Sequence, residues 1–568
     1  MTTSADAELD ALLAADWADA YRRHPIRASL HGDRSGDRQW DDQSLDALAD
    51  EAQHQRAVLA QVEAFPRSAL SDHGALNADL YAGQLRDALR GYDLRTYLFA
   101  LSPRGGVANY ASYAEQLPFA SLADYDAWQA RLDAYPVAVA QTIDLLREAV
   151  AQKMLWPHES MSRLPAQIDR VIGQGEASPF FAPYTRMPAT IDAPAAGRLR
   201  ERARATIAAA VDPALAQLRA FMTDVYLPAA PREVGLAHLP NGAALYAHFA
   251  QSYTTTSMSP DAIHELGLSE VARVRAAMEE LAPQTGYRGS LAEVFAQLRD
   301  DPANYYHDAD SLLTAYRAFA KRIDPELARC FHLRSLPRLP YGVTPIPAAL
   351  APDTTTAYYY PGALDGSRAG LYYVNLYRPD QRPIYEIPVL SLHESVPGHH
   401  LQVAVAQELG GLPAFRRASL HYTAYVEGWG LYAESLGHDM GLYDDPKSLF
   451  GALTYEMWRA VRLVVDTGMH ARGWSRQRAI DYFLANAAKT PLDVANEIDR
   501  YITYPGQALA YKIGQLKLLE LRERARRKLG GQFDLRDFHA VVLGAGALPL
   551  DLLERRVDSW LADGRLPA

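Results

Sequence analysis

Most of the chain is written in the helical period. Ala5–Ala20 carries leucines and alanines three and four positions apart, and Leu76, Leu80, Tyr81, Leu85 and Leu89 fall near one helical face. Ser44 stands where an N-cap belongs, ahead of Leu45-Asp46-Ala47-Leu48. Leu122–Lys153 is the longest helical tract of the N-terminal half, with Pro136 as a place to bend or divide it. Residues 155–195 collect Pro, Gly and aromatics and read as a connection or a wall. Ala196–Leu227 is helical again, with a break expected at Pro213. Ala247–Ser259, holding Thr254-Thr255-Thr256, reads as a polar loop. Ser259 or Asp261 then caps a helix over Ala262–Leu281, and Leu291–Arg299 and Asp310–Ile323 follow.

The period changes over 333–390. Leu336–Pro340, Tyr358–Tyr360 and Gly370–Tyr377 alternate as strands do, with turns at Pro361-Gly362 and Asp365-Gly366. A strand beside a catalytic helix can bind an extended peptide through its backbone. From Pro388 the helical period returns: Pro388–Leu409, His421–Leu436, Leu453–Met469, Ser475–Ala488, Pro491–Ile502, Gln507–Arg527, Leu535–Leu543 and Leu548–Leu561. The expected fold is mostly α, a large multi-helix body with a deep cleft and a small β ribbon. Three parts are expected, 1–195 as one cleft wall, 196–332 as a central helical part and 333–568 as the ribbon with the catalytic helices. They could equally form one integrated domain.

Composition narrows the function classes. The net charge of -11 argues against nucleic acid as partner. One cysteine, Cys330, excludes an intrachain disulfide and a cysteine-rich metal site. No run of eighteen apolar residues suggests a membrane span. The first residues lack a basic segment followed by an apolar one, so the expected location is cytoplasmic as the sequence stands, or periplasmic if a signal peptide was removed. A monomer or a homodimer is compatible with this composition.

The chemistry gathers in Leu392-His393-Glu394-Ser395-Val396-Pro397-Gly398-His399-His400. Adjacent His and Glu on a helix suit a hydrolytic metal site, in which the His binds the ion and the carboxylate takes a proton from water. The ordinary second His, four residues on, is replaced here by Pro397. On a regular helix His400 stands roughly 10 Å above His393, too far to share an ion. Pro397 lacks an N–H and crowds the preceding turn, and Gly398 is permissive. A helix distorted between 394 and 399 can therefore carry His399, or else His400, back to His393. Glu427 is the best third ligand, and Glu434, two turns later, can support a ligand. One Zn2+ ion is the expected cofactor, held by His393, Glu427 and His399 or, in second place, His400, with Glu394 as general base. The other histidine of the pair is left to orient a ligand or contact substrate.

Other residues are candidates for the same cleft. Asp466 and His470 are four apart, so Asp466 could orient His470. Arg500, Tyr504, Gln507, Tyr511 and Lys512 surround the Pro505-Gly506 turn, where Tyr511 could donate to an oxyanion and Arg500 or Lys512 could meet a carboxylate. Tyr360 could support a bound chain. His264 and Glu265 lack a suitable partner and read as cleft-lining or structural.

These segments together resemble the bacterial family catalogued as domain of unknown function 885 (DUF885). The resemblance rests on LHESVPGHHLQ (Leu392 to Gln402), EGWGLYAE (Glu427 to Glu434), YPGQALAYKIG (Tyr504 to Gly514), TTSMSPDAIHELG (Thr255 to Gly267), DTGMHARGW (Asp466 to Trp474), and Asp365, Gly366, Ser367, Arg368, Gly370 and Asn375. It implies a large helical protein akin to gluzincin-type zinc carboxypeptidases and oligopeptidases. It carries metal roles to His393, His399 and Glu427, a base role to Glu394, and recurrent polar positions to His470 and Tyr511. Arg368 and Asn375 enter as substrate contacts. The expected function is a zinc-dependent peptidase acting on small peptides, as a carboxypeptidase or otherwise. The alternatives are a metal-dependent amidase or deacylase of another small amide, and a non-catalytic peptide- or solute-binding protein with a degenerate hydrolase site.

Overall fold

A computed structural model describes residues 4–348, 351–353, 355–364, 366, 368–417 and 421–564. Asp365 and Ser367, named above, lie outside the described residues. The chain forms two compact units, Met1–Leu245 and Tyr246–Ala568. Both are helical, and the fold is mostly α with one three-stranded sheet.

In the first unit the helices follow the apolar period. Leu45–Glu63 starts at Ser44, whose side chain accepts from the Ala47 N–H, and Asp72–Asp93 starts at Ser71 in the same way. Leu122–Gln152 is one helix with Pro136 inside it, neither ended nor divided. The tract around Pro213 continues as well. A π turn at Ile207–Val211 precedes Pro213, and another at Met222–Tyr226 precedes Pro228. Each shifts the hydrogen-bond register just ahead of a residue that has no N–H to give.

The second unit holds every candidate residue. The expected polar loop at Ala247–Ser259 is instead mostly helix, Gly242–Thr254. Its Tyr246 and Ala250 are buried, and the Thr254 hydroxyl folds back on the Ala250 carbonyl at 2.6 Å. Polar composition misled there because those threonines end the helix. Helix α1 (Pro260–Leu281) is capped by Ser259. Strand β1 is Tyr341–Pro345, so the strand expected at Leu336–Pro340 falls too early. In that segment the Arg338 and Leu339 N–H groups donate to the Glu408 carboxylate instead of a neighbouring strand. Strands β2 (Ala357–Tyr360) and β3 (Gly370–Val374) complete the sheet in the order β1-β3-β2, β1 parallel and β2 antiparallel to β3.

Helices α2 (Ile387–Glu394), α3 (His399–Glu408), α4 (Thr423–Asp439), α5 (Pro446–Arg472), α6 (Pro491–Thr503) and α7 (Ala510–Leu529) follow. Helix α5 is buried almost continuously from Met457 to His470, as a central helix must be. It starts on Asp445, which caps the Lys447 and Ser448 N–H groups, and stops at Gly473 with φ +65°. Helices α4 and α7 touch through Gly428 and Gly514, where an added Cβ on Gly428 meets the Gly514 Cα at 2.5 Å. Among the described residues no helix is long and apolar enough to cross a membrane.

Candidate metal centre

The helix carrying His393 is interrupted outright. Helix α2 ends at Glu394, Ser395 and Gly398 leave the helical region with ψ of -122° and -131°, and α3 begins at His399. The turn folds so tightly that a Cβ on Gly398 would lie 1.9 Å from the His393 carbonyl oxygen. Pro397 anchors it from outside, its carbonyl accepting from the Trp429 indole N–H at 2.8 Å. The single helix expected over Pro388–Leu409 is therefore two helices, and the expected distortion between 394 and 399 is a full break.

The break brings His399 beside His393. Their rings lie edge to face with centroids 4.6 Å apart. Glu427, on α4, places Oε2 3.5 Å from His393 Nε2 and 3.3 Å from His399 Nε2. The three candidate ligand atoms lie within 4.8 Å of one another. Glu427 Oε2 is buried and has no hydrogen bond that satisfies it, and the same holds for His399 Nδ1. Two imidazole nitrogens and one carboxylate oxygen, converging on a buried acceptor, fit the donor set of a catalytic zinc site.

The neighbours of His393 fix its orientation. Its Nδ1 pairs with Glu434 Oε1 at 2.8 Å, which leaves Nε2 turned toward Glu427. Glu434 is held in turn by Arg459 Nη2 at 3.1 Å. The ring also needs Gly430: a Cβ there would meet its Cε1 at 2.7 Å. Burial alone disfavours the charged imidazole, but the Glu427 and Glu434 contacts outweigh it and raise His393 to about 9. Burial also opposes ionisation of Glu427, yet His399 and His393 hold its carboxyl well below the usual range. Glu394 is different. Burial raises its carboxyl, with Glu427 adding to the effect and the two histidines opposing it. The two neighbouring carboxyls are thus shifted in opposite directions.

One wall of the site is cationic and aromatic. The Tyr511 ring stacks near His393 at 6.5 Å, and burial, with the Glu427 charge adding to it, raises its hydroxyl above the ordinary phenol value. Arg462 Cζ lies 4.4 Å from the Tyr511 ring centroid and Arg459 Cζ 5.9 Å. Gln507 Nε2 reaches the Tyr511 hydroxyl at 3.5 Å, and Gln507 Oε1 accepts from Arg500 at 2.9 Å.

Several expected site residues serve other purposes. His400 has both ring nitrogens engaged, with the Tyr359 hydroxyl at 2.9 Å and the Leu339 carbonyl at 3.0 Å. Burial lowers it to about 4, and it ties the sheet to α3 rather than facing metal or substrate. Asn375 donates to the Ala351 and Thr355 carbonyls and accepts from the Tyr377 N–H, so it shapes a loop. Lys512 is fully buried and paired with Glu270 and Glu456 at 2.9 and 2.7 Å, which removes it as a substrate contact. His470 donates to the Tyr501 carbonyl at 2.9 Å, and burial lowers it to about 4. Asp466 does not orient it. That carboxylate accepts from the Tyr246 hydroxyl at 2.6 Å and the Gly506 N–H at 3.1 Å. Tyr360 packs on Tyr373 with Tyr358, on the sheet's aromatic face. Arg368 closes the β2–β3 loop through its carbonyl, which accepts from Ala363, and Tyr504 is half exposed against Tyr253. His264 bonds the Thr467 hydroxyl at 2.7 Å and is structural.

Arg459 and Arg462 border the centre, although neither is among the residues that the sequence motifs single out. Their signal was present: two arginines three apart inside the otherwise apolar run Met457–Val465. A second acidic cluster, Asp16, Asp19 and His54 in the first unit, is not comparable, because Arg23 bridges both aspartates.

A family profile described as bacterial protein of unknown function (DUF885) matches residues 25–557. A crystal structure of a putative lipoprotein from Colwellia psychrerythraea is similar at 27% identity and a TM-score of 0.92, covering 99% of this chain and 100% of that one. A putative lipoprotein of unknown function from Shewanella oneidensis shares the fold at 16% identity and a TM-score of 0.67, covering 96% and 98%. No curated protein matches the chain.

Proposed function

We propose, from the premise that this chain belongs to the DUF885 family of bacterial proteins, that it is a zinc-dependent hydrolase of peptide bonds in small peptides. The observation that carries the reading is the convergence of His393 Nε2, His399 Nε2 and the buried Glu427 Oε2 next to Glu394. His393, His399 and Glu427 would hold a zinc ion, which would supply Lewis acidity toward a substrate carbonyl and the attacking water. The rest of the chemistry belongs to the chain. Glu394, its carboxyl raised by burial, takes the proton of the attacking water and passes it to the leaving amine. Tyr511, beside His393, donates to the oxygen on which negative charge develops. Glu434 and Arg459 keep the His393 ring in the tautomer that presents Nε2. An extended chain would lie along strand β2, which is at one edge of the sheet and contacts α2. A lipoprotein relative supports an exported setting for the reaction, and cell fractionation separates that from a cytoplasmic one.

The test is metal content together with peptide hydrolysis. The wild-type protein is expected to hold one zinc per chain, His393→Ala and Glu427→Ala to lose it, and Glu394→Gln to keep it while hydrolysis falls at least about 100-fold. Full zinc retention in both ligand variants sinks the reading. Unchanged hydrolysis in Glu394→Gln removes the base from it.

A further inference from the structure

In the wall beside Tyr511 two arginines share one carboxylate. Arg462 and Arg500 both turn to a single carboxylate oxygen, Glu497 Oε2, at 3.1 and 3.0 Å. Arg462 also donates through Nε to the Tyr501 hydroxyl at 2.6 Å, while its Nη1 is buried with no hydrogen-bond partner. Its side chain is only 6% exposed. A buried guanidinium N–H without an acceptor is costly, and so is a buried cation without a matching anion. Asp466 is occupied by the Tyr246 hydroxyl and the Gly506 N–H. Lys512 is neutralised by its own two glutamates and does not contribute.

The position of this charge matters as much as its amount. Arg462 packs on the Tyr511 ring at 4.4 Å, and that ring stands 6.5 Å from His393. Arg500 reaches the same hydroxyl through Gln507, and its side chain is 18% exposed. Measured through the Tyr511 ring, the Arg462 guanidinium lies no further from the His393 ring than about three residues of extended peptide reach, at roughly 3.4 Å each.

We infer that Arg462 and Arg500 receive the carboxylate of the substrate, and that the site acts on peptides with a free C-terminus one to three residues beyond the bond that is cut. The planar, forked donors of arginine suit a carboxylate. A carboxylate beside these groups would add the anion that Arg462, with Nη1 unpartnered, lacks, and a C-terminal amide would not. This inference rests on the hydrolase reading of the metal centre, but its binding test does not require turnover.

The experiment is calorimetric titration of the full chain carrying Glu394→Gln with an N-acetylated tripeptide and with the same tripeptide as its C-terminal amide. The acid is expected to bind at least 10-fold more tightly than the amide. Adding Arg462→Gln or Arg500→Gln is expected to erase most of that difference while leaving the amide's affinity within about 2-fold. Arg500, partly exposed, provides a variant that folds if buried Arg462 does not tolerate the change, and melting curves check both. Equal binding of acid and amide, or a preference that survives both substitutions, overturns the inference. The two readings fail separately. Selective binding of the acid without cleavage of any peptide by the zinc-loaded wild type removes the hydrolase reading alone. Cleavage of acid and amide at equal rates removes the carboxylate site alone.

Discussion

Gly430 and Glu434 show how single positions set the geometry of His393. The first leaves room for the imidazole and the second holds its Nδ1. Gly430→Ala puts a methyl group 2.7 Å from the ring and must displace it, since helix α4 cannot move away from its neighbours. Zinc affinity, read by competition with a chelator, is expected to fall about 10-fold or more while the melting temperature changes little. Glu434→Gln keeps an acceptor but removes the charge that raises the basicity of His393. Its expected effect is likewise a loss of about 10-fold in zinc affinity, within the usual range for groups that support a metal ligand. If both variants bind zinc as the wild type does, the ion does not sit on His393 Nε2.

At the scale of elements, the decisive feature is the break between α2 and α3. Gly398 is packed against the last carbonyls of α2, so Gly398→Ala forces the turn open and moves His399 away from Glu427. Loss of zinc together with a lower melting temperature is expected. The pairing of α1, α5 and α7 gives a contrasting case. Lys512 joins Glu270 on α1 and Glu456 on α5, with Arg273 sharing both acids. Lys512→Met leaves buried carboxylate charge less compensated and is expected to cost about 3 kcal/mol in denaturant unfolding. KM for peptides should stay as it was, whereas a lysine that held substrate would raise it.

Across the whole molecule, stability carries a pH dependence traceable to Asp466. Burial raises this carboxyl from 3.8 to about 7, against the Tyr246 and Gly506 hydrogen bonds and the pull of Arg500 and Arg462, which lower it. A folded-state value above the unfolded one means that the folded state binds the proton more tightly. The contribution is complete below about pH 4 and is lost as pH rises to about 7, amounting to roughly 4 kcal/mol by the free energy of a pKa unit. Asp466→Asn removes the dependence. The melting temperature of the variant should gain on the wild type from pH 4 to 7 and run parallel to it above. A difference that does not vary over this range would show that Asp466 is ionised throughout.

Much of this architecture could be read along the chain, because helix formation depends on near neighbours. The 3.6-residue period located most helices, Ser44 and Ser259 cap where they were expected, and the sheet lies in the segment where the period changed. The candidate metal residues were legible too, since His393-Glu394, Pro397-Gly398 and Glu427 carry their chemistry in their order. What no local pattern contains is the set of partners that each polar group meets. His400 was open to a metal until Tyr359 and Leu339 took its two nitrogens, and Lys512 was a free cation until Glu270 and Glu456 closed on it. The apolar run around Arg462 marks a buried charge, but only the folding of α6 and α7 against α5 left its Nη1 without an acceptor. The sequence by itself determined which groups were available and which segments were helical. The tertiary structure alone decided which groups were spent on one another, because desolvation and pairing depend on contacts between residues far apart in the chain.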